Sequence, residues 1–215
     1  MGKIGFIFIC CFLIRAGFGG LTWSCTETNV VVHPLQASVT VGFEFVNSSS
    51  KLIKIKKITS ACGCVSGKVN IKEYKPGESG MVWVRFNLEK RHGAQRKGVV
   101  VQTSTERKTL YISTVIPKTF VFSKKRLDWK HGEKRIEKSC RIINKGKVPF
   151  RLKRIVTKQK KVATRLKMIR DGFEYQLFVK PDAKLNSAFV LLKIYPEKQK
   201  GVSVLKSFTF YVLVK

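Results

Sequence analysis

Between residues 39 and 58 apolar and polar side chains alternate with a period of two, the mark of strands with one buried face. Val39, Val41, Phe43 and Phe45 interleave with Thr40, Gly42 and Glu44. A polar turn, Asn47 to Ser50, follows, and then Ile53, Ile55 and Ile58 face inward while Lys54 and Lys56 point to water. Pro76 to Gly80 makes a second turn, after which Val82, Val84 and Phe86 alternate with Trp83 and Arg85. Val30–Val32 reads as a short strand closed by Pro34. Leu88–Gln95 reads as a charged connection, and Gly98–Gln102 and Leu110–Ile116 as two further strands. About seven short strands and no helical periodicity predict an immunoglobulin-like sandwich over residues 27–117.

The pattern recurs at an offset of 97 residues. Phe43, Phe45 and Asn47 correspond to Cys140, Ile142 and Asn144, and Ile55 and Ile58 to Leu152 and Ile155. Gly77 stands five places before Val82, and Gly172 five before Leu177. Matched spacing over several elements predicts a duplicated unit, and hence an all-β chain of two tandem seven-stranded sandwiches, the second over residues 118–215. Phe120 and Phe122 either continue the last strand of the first module or begin the second. One difference stands out: Gln159 and Lys161 take the places of Cys62 and Cys64.

Ahead of the first module, Lys3 precedes an apolar run from Ile4 to Ile14, and Arg15 is followed by small residues. This reads as a secretory signal peptide over residues 1–24, too short for an ordinary membrane span, with cleavage between Gly19 and Ser24. The expectation is an exported protein, periplasmic or associated with the cell surface, in a compartment that permits disulfides. Cys25 invites a lipid-anchor reading, which the bulky Trp23 and the position of Leu21 fit poorly.

Charge narrows the choice of partners. The chain holds 43 Lys plus Arg against 13 Asp plus Glu, a formal +30, and residues 118–215 carry 27 of those cations against 7 acids. Such a module attracts polyanions, whether nucleic acid, an anionic glycan or an anionic lipid surface. Its densest cations are Lys153, Arg154, Lys158, Lys160, Lys161, Arg165, Lys167 and Arg170, the residues expected to meet an anionic partner. The bland reading of the same residues is a solvated face in a basic protein. Nucleic acid is disfavoured, because exposed aromatics do not interleave with the basic residues and no binding motif is present.

Reactive residue types cluster tightly in one place, Cys62-Gly63-Cys64, where glycine permits a sharp bend. Three readings stay open: a structural corner with the sulfurs bonded or separately packed, a thiolate pair for Cu(I) or Zn, or a redox pair. Metal binding needs His33, His92, Cys25 or Cys140 to converge on the pair. The spacing is not the Cys-x-x-Cys of thioredoxin-like proteins. Cys140 falls at an inward strand position and reads as a small buried hydrophobe. His33, His92 and His131 read as solvated turn residues. Three dispersed histidines and three aspartates offer no acid–base pair, so no catalytic residues and no cofactor are assigned.

Phe43, Phe45 and Asn47, then Leu52, Ile55 and Ile58, then Thr59 to Cys64 (TSACGC), the turn Pro76 to Gly80 (PGESG), Phe86, Gly98, Val99 and Val101 together resemble the bacterial domain-of-unknown-function family 1573. The resemblance covers about residues 36–117. It implies an exported, immunoglobulin-like module, similar in shape to PapD-like and major-sperm-protein-like sandwiches, and it carries no reaction or catalytic residues. The expected function is a non-enzymatic binding or structural protein of the bacterial envelope that docks on a protein or an anionic polymer. The alternative is thiol-redox or Cu(I)/Zn handling at Cys62 and Cys64.

Overall fold

A computed structural model describes residues 20–215 apart from Lys90, Ser203 and Val204. The apolar run expected to direct export lies outside the described residues. Among the described residues every regular element is a strand. Two compact units emerge. One holds the described residues up to Val31, with Ser38–Asn87 and Ala94–Val115. The other holds Val32–Ala37, Leu88–Gly93 and Ile116–Lys215.

The first unit is a sandwich of two sheets. One sheet has the order β1 (Leu21–Trp23), β3 (Ser38–Asn47), β7 (Ser79–Asn87), β5 (Val65–Lys68). The other runs β2 (Glu27–Asn29), β9 (Arg107–Ile116), β8 (Gly93–Thr103), β4 (Ile53–Ser60), β6 (Glu73–Tyr74). Burial follows the alternation read from the sequence: Phe43, Phe45, Ile53, Val82, Val84, Phe86, Val99, Val101, Leu110 and Ile112 are all inside. Removing such side chains from water contributes about 1.5–3 kcal/mol apiece.

The second unit repeats this wiring. One sheet runs β10 (Phe120–Phe122), β12 (Lys138–Asn144), β15 (Glu174–Pro181), β14 (Val162–Arg170). The other runs β11 (Arg126–Trp129), β17 (Phe208–Val214), β16 (Ala188–Pro196), β13 (Leu152–Val156). Strand for strand this is the first sandwich without β6, down to the parallel pairing of β2 with β9 and of β11 with β17. Phe43 pairs with Val82 and Cys140 with Leu177, so equivalent strands pair in both units, offset by 97 residues between β3 and β12 and by 95 between β7 and β15.

Three local expectations change. Leu21–Trp23, read as the exit of the signal peptide, is an edge strand on β3, with Leu21 buried and the Trp23 ring 4.9 Å from that of Phe45. The strand expected at Val30–Val32 sits three residues earlier, at Glu27–Asn29, while Val31 is fully exposed. That strand has no apolar signature because polar contacts fix it. Arg96 and Ser113 bond the Glu27 carboxylate, and these bonds, Arg96 first, hold the carboxyl down to about 2. Leu88–Gln95 is only in part a connection, since β8 begins at Gly93.

The division of the chain also differs from a single cut at 117/118. Leu35 is buried in the apolar cluster of the second unit, beside Trp129, Phe150 and Leu192. Its carbonyl accepts the Lys206 N–H, and the adjacent Gln36 bridges to Leu205. Phe120 and Phe122 belong to this unit and pair with Asn144 and Ile142.

Asn47 and Asn144 end equivalent strands and are buried. The Asn47 amide donates to the carbonyls of Lys51 and Tyr74, each at 2.8 Å, and its oxygen accepts from the N–H and hydroxyl of Ser49. The Asn144 amide donates to Val148 and Gly172 at 2.8 and 2.9 Å and accepts from the Gly146 N–H. Gly77 and Gly172, both at positive φ, form the turns that pass these asparagines. Replacing Asn47 or Asn144 by Ala strands several buried carbonyl and N–H groups, so each variant should lose about 2–4 kcal/mol. Asp should not rescue, because a carboxylate cannot donate. Denaturant unfolding with residue-level amide exchange tests this; a loss below about 1 kcal/mol at both sites would refute the assigned role.

Candidate functional site

The Cys-Gly-Cys corner is the turn from β4 to β5. Cys62 and Cys64 are joined by a disulfide, with sulfurs 2.03 Å and Cα atoms 5.2 Å apart. Cys64 is buried and Cys62 half-buried. The Ser60 hydroxyl lies 2.8 and 2.7 Å from the carbonyl oxygens of Cys62 and Val65, and the Asn87 N–H donates to the Cys64 carbonyl at 2.8 Å. The corner is thus held by the Ser60 hydroxyl and by a backbone bond from the end of β7 as well as by sulfur. A bonded pair offers no thiolate to a metal or a substrate in this state.

The other candidate ligands are placed elsewhere. Cys140 is buried in the second unit, 3.5 Å from the Ser123 hydroxyl, and Cys25 is half-buried. His92 and His131 are exposed. His33, expected in solvent, is half-buried: its Nδ1 accepts the Leu35 N–H, its ring meets Phe150 edge-on, and burial lowers its pKa. Among the described residues no three His, Cys, Asp or Glu side chains converge as a metal-ligand set.

All eight basic residues singled out from the sequence are exposed in the second unit. Lys153 and Arg154 lie on β13, the edge strand of one sheet, and Arg165, Lys167 and Arg170 on β14, the edge strand of the other. Lys158, Lys160 and Lys161 occupy the turn between them. This turn ends at Val162, the counterpart of Val65, so the lysines stand where the first unit has its disulfide. The arginines are held against rings: Arg154 over Tyr195, Arg165 over Phe178 and Arg170 over Phe173, at 4.8, 3.8 and 4.9 Å. Arg165 also pairs with Glu137 at 3.1 Å. The five lysines make no ion pair among the described residues.

Lys160 and Lys161 open onto a hollow of about 390 Å³, completed by Arg135, Ala163, Lys180, Pro181, Asp182 and Ala183. Arg135 is fixed in place, donating to the carbonyls of Lys130, Glu133 and Lys215 at 2.9–3.0 Å. Lys180 and Arg135 escaped the sequence reading because they are distant in the chain. Strand register brings Lys180 there, since Ala163 pairs with Lys180 and Val162 with Pro181. That register was available in principle from the alternation of β14 and β15.

A second overlooked group is Lys206, only 3% exposed in the second unit. Burial pushes its pKa down to about 8, against the opposing pull of the Glu89 carboxylate. No pattern in the sequence marks it, because it follows Leu205 in an irregular segment.

Tandem sandwiches, one closed by a cysteine corner and one edged with cations, define a modular β-sandwich protein. Residues 21–116 match the family "Protein of unknown function (DUF1573)", so the family resemblance holds for the whole first module, from its first strand. No curated protein matches the chain. Solved structures similar to it include a protein of unknown function from Porphyromonas gingivalis W83, at 13% identity and a TM-score of 0.36, over 92% of this chain and 100% of that one. The YadV chaperone is similar at 10% identity and a TM-score of 0.35, over 90% of this chain and 100% of its own. The VesB protease of Vibrio cholerae is similar at 16% identity and a TM-score of 0.37, over 44% and 31%. Likenesses this distant carry no argument about what this chain does.

A disulfide closing a three-residue ring removes little entropy from the unfolded chain, about 1.6 kcal/mol on the loop-closure relation. Replacing both Cys62 and Cys64 by Ser should therefore leave the first module folded and lower its stability by about 1–2 kcal/mol in urea unfolding; an unfolded variant would contradict this. For Lys206, the folded pKa lies below the ordinary lysine value, so stability is lower while both states are charged and rises with pH from about 8 to 10.5. Lys206→Met should add about 1–3 kcal/mol at pH 7 and abolish that rise, as read by denaturant unfolding at several pH values.

Proposed function

We propose that the protein is an exported, non-enzymatic binding protein of the bacterial envelope whose second module docks on an anionic polymer. One observation carries the reading. The cations concentrated in residues 153–170 fall on two edge strands of one sandwich, one from each sheet, and the turn that joins them, and five of the eight are lysines without an acidic partner among the described residues. A folded surface that keeps so many uncompensated charges together repels itself and is relieved by a polyanion. The first module, with its disulfide corner, serves as the structural half and favours an oxidising compartment. Export fits the apolar leader-like segment, with cleavage ahead of Leu21 so that β1 is kept.

Binding of the full chain to long-chain polyphosphate and to heparin tests the reading. Affinity should fall at least tenfold, roughly, between about 0.05 and 0.5 M salt. The variant Lys153→Glu, Arg154→Glu, Lys167→Glu, Arg170→Glu should lose most of the binding while unfolding normally. Binding that ignores both salt and this variant would defeat the proposal.

A further inference from the structure

The hollow between the β13–β14 turn and the end of β15 has a more definite chemistry than the surface around it. We infer that it is a subsite for a phosphate ester that carries neighbouring hydroxyl groups, the repeating unit of a polyol- or sugar-phosphate chain or the headgroup of a lipid. The inference rests on the polyanion reading above and adds to it one subsite for one ligand class.

Four cations from separate parts of the second unit converge there: Arg135 from the loop after β11, Lys160 and Lys161 from the turn, and Lys180 from β15. Arg135 is already anchored by three backbone carbonyls, so a guanidinium edge is presented without further ordering. The lysines are point charges on flexible stems and can close around an oxyanion. Ala163, Pro181 and Ala183 line the hollow with little bulk, which leaves its 390 Å³ open to a group of several heavy atoms.

Asp182 points to the nature of that group. A bare oxyanion gains nothing from a carboxylate in its site. The Asp182 Oδ1 accepts the Lys184 N–H at 2.8 Å, and its backbone N–H donates to the Lys161 carbonyl at 2.8 Å, so the residue is fixed by the same turn that supplies two of the lysines. Its Oδ2 has no partner among the described residues and is an acceptor for a ligand hydroxyl. Cations for the phosphate and one carboxylate oxygen for a hydroxyl beside it make a matched pair of contacts.

The test uses the full chain, with NMR titration of inorganic phosphate and of glycerol 3-phosphate, and with polyphosphate binding as the broader readout. Glycerol 3-phosphate should bind more tightly than inorganic phosphate at one site. Lys161→Glu with Lys180→Glu should weaken it about tenfold or more, and Lys161→Gln with Lys180→Gln less strongly. Lys153→Glu with Arg154→Glu, the same charge change outside the hollow, should leave it within about twofold. Asp182→Asn should tighten inorganic phosphate and shrink the preference for the ester. Equal losses from the two Glu pairs would overturn the subsite while leaving the polyanion reading standing. An unchanged preference in Asp182→Asn would overturn the hydroxyl contact. A wild-type chain that binds neither phosphate nor polyphosphate would overturn both readings. Vesicles of phosphatidylglycerol, against phosphatidylcholine, separate the sources: recruitment that soluble glycerol 3-phosphate reverses assigns the ester to a lipid, and binding of the soluble ester without recruitment assigns it to a polymer.

Discussion

A primary amide removed from water needs partners for both its hydrogens and its oxygen, and few places in a sandwich supply all of them. At Asn47 and Asn144 the partners are main-chain groups of two loops, one following the asparagine's own strand and one returning to the sheet. The side chain therefore closes an end of the sandwich where regular pairing has stopped. The positive-φ glycines, the adjoining turns and the register of the next strands are all constrained by that arrangement. It is also the feature that the two halves share most closely. Of the bonded carbonyls, Lys51 and Val148 are 97 residues apart and Tyr74 and Gly172 are 98, and the donors to the amide oxygen, Ser49 and Gly146, are again 97 apart.

The sandwich was legible in the chain wherever one face of a strand is greasy and the other wet. Phe43, Phe45, Val82, Val84 and Phe86 each lie on the expected side. What escaped was fixed by something other than hydrophobic periodicity. Glu27–Asn29 is a strand because an ion pair and a hydroxyl hold it alongside β9. Leu21–Trp23 was obscured by the leader-like segment before it. Leu35 and Lys206 are buried by long-range packing, which local spacing cannot report. The cysteine corner was located correctly, but its sulfur chemistry depends on geometry that three letters do not contain. The cations of the candidate site were visible as a cluster, whereas Arg135, Lys180 and Asp182 join them only through strand register and loop closure.

Edge strands present unpaired main-chain groups, and lysines along such an edge deter the addition of a stray strand. The basic stripe on β13 and β14 has that property, so the same residues can protect the free protein and serve the proposed docking on a polyanion. The two roles differ in what they need. Protection needs charge anywhere along the strand, while recognition needs charges gathered with an acceptor around an open volume. The hollow by Asp182 shows the second arrangement.

In each sandwich a short strand near the start pairs in parallel with the last one, β2 with β9 over three residues and β11 with β17 over four. A pull transmitted through β2 and β9, or through β11 and β17, would thus load the connecting hydrogen bonds together, in shear, where an antiparallel pair would peel apart one bond at a time.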